Sequence, residues 1–110
     1  MDEREFHACA DTMLARIEQA LEKSGADLDF EMKQGGVLEI EFVNGSKIII
    51  NRHTAAREIW IAAKSGGYHF KAESVDGSRW TSARDGGELL SVLAQCIGEQ
   101  SGAAISFGDD

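Results

Sequence analysis

Two runs of strict alternation, Leu28-Asp29-Phe30-Glu31-Met32-Lys33 and Leu38-Glu39-Ile40-Glu41-Phe42, constrain this chain more than any other feature. A period of two sends successive side chains to opposite faces, so each run predicts a strand with one apolar and one charged face. Gln34-Gly35-Gly36 separates the two, and Asn44-Gly45 follows as a two-residue hairpin signal that tolerates positive φ. Four more short strands are predicted at Lys47 to Arg52, Glu58 to Ala62, Tyr68 to Glu73 and Arg79 to Ser82, with breaks at Ser65-Gly66-Gly67 and Asp76-Gly77-Ser78. A meander of about six strands with one wet face must have its other face covered.

The two ends of the chain supply that cover. From Glu3 to about Lys23, Phe6, Cys9, Ala10, Met13, Leu14, Ile17 and Leu21 recur at helical spacing, and Ser24-Gly25 ends the run. After Gly86-Gly87 a second apolar helix carries Leu89, Leu90, Val92, Leu93, Cys96 and Ile97, and Ser101-Gly102 closes it. The order helix, strands, helix predicts an α+β fold, a two-layer α/β sandwich with both helices on one face of an antiparallel sheet. At 110 residues the chain holds one domain, 1–110, with a short tail at about 103–110.

Composition excludes several functions. A net charge of −8 argues against a nucleic-acid surface, which works by neutralising phosphates with Lys and Arg. No apolar run approaches the roughly 20 residues that span a bilayer, and the acidic start Met1 to Glu5 lacks the order of a signal peptide. These features predict a cytoplasmic protein that engages no membrane. Cys9 and Cys96 fall within the two helices, without zinc or redox spacing, and are read as buried thiols. No nucleophile, base and orienter set is recognisable, and Gly66-Gly67 lacks the helix start and Lys of a phosphate loop.

The acidity is concentrated. Residues 1–41 carry eleven acids against four bases, a net of −7, while the remaining 69 residues net −1. On a helical projection of about 100° per residue, Asp11, Glu18 and Glu22 share one stripe beside the apolar face, with His7 at its edge. Asp27 follows, then Asp29 and Glu31 on the wet side of the first strand, which predicts one continuous acidic edge. Such oxygen donors suit hard cations such as iron, and other divalent ions would substitute; binding is expected to be weak because hydrated carboxylates select little by geometry. Acidic surfaces more often serve only solubility. Here, however, Glu18 and Glu22 repel at i,i+4 near a helix C-terminus, where the macrodipole also disfavours anions.

Trp60 is the second candidate. Between Ile59 and Ile61 on the core side, it must face solvent, with Asn51 and Arg52 beside it on one neighbouring strand and His69 on the other. An exposed Trp marks a docking surface more often than other residues do. His53 is read as an ordinary surface residue and Trp80 as core.

The run Asn44-Gly45-Ser46-Lys47-Ile48-Ile49-Ile50-Asn51-Arg52, followed by Glu58-Ile59-Trp60-Ile61-Ala62 and Gly66-Gly67-Tyr68-His69-Phe70, resembles the signature of the bacterial frataxin (CyaY) family. Glu5-Phe6-His7, Gly35-Gly36-Val37-Leu38, and Trp80 followed by Arg84-Asp85-Gly86-Gly87-Glu88-Leu89 extend the likeness over almost the whole chain. The resemblance implies a helix, sheet, helix sandwich and iron held on an acidic ridge. It also implies docking to the cysteine desulfurase and scaffold protein of iron-sulfur cluster assembly, with Asn51, Arg52 and Trp60 at partner-contacting positions. Gln19 and Lys23 leave this ridge with fewer carboxylates than the family pattern. The expectation is a non-enzymatic monomer that regulates the complex or donates iron to it, with iron-dependent oligomers left open. The alternatives are a ferroxidase acting on Fe2+ and a metal-independent acidic interaction domain.

Overall fold

A computed structural model describes residues 2–24, 27–73, 79–82 and 84–102. The Ser24-Gly25 stop in part, the Asp76-Gly77-Ser78 turn and the 103–110 tail lie outside these. The order is α1 (Glu3–Ser24), β1 (Leu28–Lys33), β2 (Val37–Phe42), β3 (Lys47–His53), a 3-10 turn (Thr54–Ala56), β4 (Glu58–Ala63), β5 (Gly66–Ala72), β6 (Trp80–Thr81) and α2 (Leu89–Ser101). The six strands form one antiparallel meander in sequence order, as the alternation predicts.

Helix α1 starts at a reciprocal cap. The Glu5 N–H donates to Asp2 Oδ1 at 2.8 Å and the Asp2 N–H to Glu5 Oε1 at 3.1 Å, which satisfies two donors the helix cannot pair. Its buried residues are Phe6, Cys9, Ala10, Met13, Leu14, Ile17 and Leu21, the predicted stripe. Helix α2 starts later than the glycine pair suggests. Glu88 caps it, accepting from the N–H groups of Leu90 and Ser91, and Gly102 at φ 76° ends it.

The inward parity of the sheet, Leu38, Ile40, Phe42, Ile48, Ile50, Ile59, Ile61, Phe70 and Trp80, meets these helices in a single core. The Phe6 and Trp80 rings touch edge to face at 6.1 Å, which packs the start of α1 over the β6 end of the sheet. Met32 shares the inward parity but is 39% exposed, since the helical layer does not reach the far end of edge strand β1. At the opposite end of α2, Gln100 donates from Nε2 to Ser46 Oγ and the Lys47 carbonyl, and accepts from the Lys64 N–H. The Asn44 side chain donates to the Gln100 carbonyl, so one buried side chain and its own backbone tie α2 to two hairpins.

Two boundaries differ from expectation. Gly66 and Gly67 lie in β5 rather than in the turn, because Ala63 pairs with Gly66 and leaves only Lys64-Ser65 as the connection. Gly66 adopts φ 145°, which a Cβ would disfavour. Among the described residues strand β6 is two residues long and pairs with β5 at Lys71 and Ala72, with the Glu73 N–H bonding to Arg79 just beyond.

Candidate functional site

The acidic set is spread over two layers. Glu18 is half-buried and Glu22 exposed on α1, Asp27 is exposed in the link, and Asp29 and Glu31 are exposed on β1. Asp29 pairs with Glu41 and Glu31 with Glu39, so both stand on the outer sheet face, away from the helices. The acids of α1 and those of edge strand β1 therefore stand on two layers and not in one row. Among the described residues no three His, Cys, Asp or Glu side chains converge closely enough to hold one ion. A cation on this surface would therefore keep most of its water, in line with oxygen ligands on separate, exposed backbones.

Charge partners sort the acids further. His7 Nε2 lies 3.7 Å from Glu3 and so leans toward the helix start rather than toward Asp11. Asp11 is bound by the Arg52 guanidinium. Glu39 sits between two ammonium groups, Lys33 Nζ at 2.7 Å and Lys47 Nζ at 2.7 Å. The hydrogen bond from Lys33, then that from Lys47, holds its carboxyl down to about 2 from an ordinary 4.5, and the lysines are raised in return. Glu39 is thus neutralised where it stands. Glu18, Glu22, Asp27, Asp29 and Glu31 form no salt bridge among the described residues, although Lys33 lies within the field of Glu31, which leaves them as the open carboxylates of the edge.

Arg52 corrects an expectation. It pairs with Ile59 and shares the parity of Ile50, so its side chain points to the helical layer and not to the outer face beside Trp60. Period two requires this once Asn51 faces out. Gly36 makes the room, since a Cβ there would lie 2.2 Å from Arg52 Nε, and the Arg52 N–H donates to the Gly36 carbonyl at 3.3 Å. The residue therefore ties β3 to the acidic helix.

Trp60 does face outward, and it is half-buried by its neighbours. The His53 ring stacks on one side at 3.9 Å and 7°, and the His69 ring at 4.2 Å and 8°. Trp60 Nε1 donates to Glu58 Oε1 at 2.7 Å, and Glu58 also lies 3.9 Å from His69 Nδ1 and 3.7 Å from Lys71 Nζ. Asn51 stands directly across from Trp60 on β3, and His69 directly across on β5. Three stacked rings thus form a rigid, flat ladder over β3, β4 and β5. The outer face grades from carboxylates on β1 and β2 to aromatics on β3 to β5. Sequence reading missed His53 and Glu58; their spacing of two from Asn51 and Trp60 is the signal that places them on the same face.

A family model described as a frataxin-like domain matches residues 1–103. The chain is 53% identical over 105 residues to the iron-sulfur cluster assembly protein CyaY of Dechloromonas aromatica, covering 96% of this chain and 97% of the relative. It is 53% identical over 95 residues to the protein of the same name from Vibrio cholerae, covering 86% and 88%. A solved frataxin from Psychromonas ingrahamii, described as a model for stability modulation within the CyaY protein family, superposes with a TM-score of 0.89 at 34% identity, covering 99% of this chain and 100% of that one.

Proposed function

The chain belongs to the frataxin-like domain family, and from that premise we propose that it serves iron-sulfur cluster assembly as a binding module in the cytoplasm. Iron, as cargo, is held weakly by Glu18, Glu22, Asp27, Asp29 and Glu31, with His7 and Asp11 extending the surface toward the start of α1. The cysteine desulfurase and scaffold complex docks on the outer face through Asn51, Trp60 and His69. Arg52 acts indirectly, by holding Asp11 and the β3 end in place.

The single observation that carries this reading is the division of one sheet face into an acidic edge and a stacked aromatic ladder. Unpaired carboxylates at a sheet edge suit a cation that must be surrendered, because few bonds are broken on release. A preorganised Trp loses little conformational freedom on docking, which makes it effective at an interface. A ferroxidase would need two metals bridged by carboxylates about 3.5–4 Å apart. Among the described residues no group of three or more His, Cys, Asp or Glu side chains comes together.

Amide NMR on the full chain tests both halves. Fe2+ under anaerobic conditions, or Mn2+ in its place, should perturb Glu18, Glu22, Asp27, Asp29 and Glu31 first. Unlabelled desulfurase should instead broaden Asn51, Trp60 and His69, and Trp60→Ala should weaken its binding at least about tenfold, as expected for an aromatic hot spot. Metal shifts centred on His53 and His69 would overturn the first assignment. Undiminished desulfurase binding by Trp60→Ala would overturn the second.

A further inference from the structure

We propose that the open half of β5, from Gly66 to His69, receives an extended acidic segment of a partner protein as an added strand. The reasoning starts from the shortness of β6. Strand β5 runs from Gly66 to Ala72, yet β6 pairs only with Lys71 and Ala72, and the Glu73 N–H reaches Arg79 just beyond. Among the described residues no strand lies along the rest of that edge.

The direction of the backbone groups follows from two independent points. The two-residue turn closes on the Ala63 and Gly66 pair, so Gly66, Tyr68 and Phe70 turn their N–H and C=O groups to β4. At the far end Glu73 bonds to Arg79 on the β6 side, and counting back by two gives Lys71, His69 and Gly67 the same direction. Both counts leave the N–H and C=O of Gly67 and His69 facing outward without a strand partner among the described residues. Such an edge is a template for β-augmentation unless something blocks it. Gly66, Gly67 and His69 are exposed, and a Cβ built on Gly67 meets nothing within 4 Å.

The chain after β6 opens this edge. The Ser82 N–H bonds to Gly87, the Gly86 N–H bonds back to Ser82, and Thr81 bridges Glu88, so these residues bond to one another and not to the Gly66–His69 part of β5. What remains is a cleft of about 300 Å³ lined by Gly67, Tyr68, His69, Ser82 and Arg84, with two carboxylates, Glu58 and Asp85, and the Lys71 ammonium. Its charges decide the occupant. Lys71 is shared with Glu58, and Asp85 Oδ1 accepts from the Gly87 N–H. Arg84 has no carboxylate partner among the described residues. A guanidinium with no carboxylate partner among the described residues, beside a Lys71 and Glu58 pair that cancels, selects a carboxylate from an incoming strand, and it can take one in two parallel hydrogen bonds. The inference does not depend on iron binding, although His69 joins the cleft to the Trp60 ladder.

The test uses two blocked peptides, acetyl-Glu-Val-Glu-Val-Glu-amide and its Lys counterpart, titrated into the full isotope-labelled chain. The acidic peptide should shift the amides of Gly67, His69 and Arg84, and at saturation it should slow solvent exchange of the Gly67 and His69 N–H groups by about tenfold or more. Arg84→Glu, a change on an exposed loop, should weaken that peptide by about tenfold, and Arg84→Lys should retain much of the binding. Equal binding of both peptides, shifts elsewhere, or indifference to Arg84→Glu would overturn the proposal. So would a concentration-dependent dimer in sedimentation velocity with β1 and β5 shifting together. That outcome would make the occupant a second copy, presenting Asp29 and Glu31 on its own edge strand.

Discussion

Arg52→Glu should destabilise the fold by about 2 kcal/mol, and the estimate can be assembled from the surroundings of the side chain. Arg52 is 18% exposed and its partner Asp11 65%, so the pair is well screened on one side. An ion pair of this kind contributes about 0.5–1 kcal/mol. Reversal replaces the attraction with a repulsion of similar size. It also removes the guanidinium stem packed over Gly36, so a total of about 2 kcal/mol follows. For a domain of this size that lowers Tm by roughly 10 °C. Asp11→Arg alone should cost about 1 kcal/mol, and the charge-swapped double variant should recover about 1 kcal/mol over additivity. Thermal and urea melts of the four proteins at low and high salt measure the coupling. Strict additivity would refute the argument, because it would mean that Arg52 and Asp11 do not interact in solution. If the coupling is found, a binding defect in Arg52→Glu reports on stability as well as on docking, and Trp60→Ala becomes the cleaner interface probe.

Glu39 predicts a pH dependence whose sign follows from its low value. A carboxyl depressed to about 2 in the fold from 4.5 otherwise stabilises fully above pH 4.5 and loses that contribution as pH falls toward 2. Melts of the wild type and Glu39→Gln should therefore differ at pH 6 and converge near pH 2; parallel curves would remove the two-lysine clamp. Gln100→Ala loses three hydrogen bonds of a side chain on a residue only 7% exposed, for a cost of about 2–3 kcal/mol, read from urea midpoints. Millimolar Mg2+ should raise Tm more than NaCl matched for ionic strength, because a ligand of the folded state adds occupancy to screening. Equal shifts would reduce the acidic edge to a diffuse field.

Much of this fold was legible because each element has one strong period. Seven α1 positions from Phe6 to Leu21 are buried as the helical spacing requires, and the alternation of β1 and β2 survives as inward Leu38, Ile40 and Phe42 against outward Asp29, Glu31, Glu39 and Glu41. What escaped was whatever depends on register between strands. That Glu39 is clamped by Lys33 and Lys47 follows from two hairpin connections, not from any local pattern. The sequence reading sets Arg52 with Asn51 beside Trp60, although its parity with Ile48 and Ile50 points inward; the space left by Gly36 and the carboxylate of Asp11 make that inward position tolerable. The His53 part of the ring ladder escapes the sequence reading even though its spacing of two from Asn51 places it on the same face, because a lone histidine at a strand end reads as an ordinary surface residue. For the proposed acidic edge, local pattern does not reveal that Asp11 is already bound by Arg52 or that the other acids lie on two layers.

The most direct test of the central claim is cysteine desulfurase turnover with its scaffold protein, measured without and with this protein, first in iron-free buffer and then with Fe2+. The proposed account predicts an effect of the protein on turnover that grows with Fe2+, is abolished by Trp60→Ala, and loses its iron dependence when Glu18, Glu22, Asp29 and Glu31 are changed to Gln or Asn. Turnover unchanged by the wild-type protein in both buffers, or an iron-independent effect that survives Trp60→Ala, would contradict it.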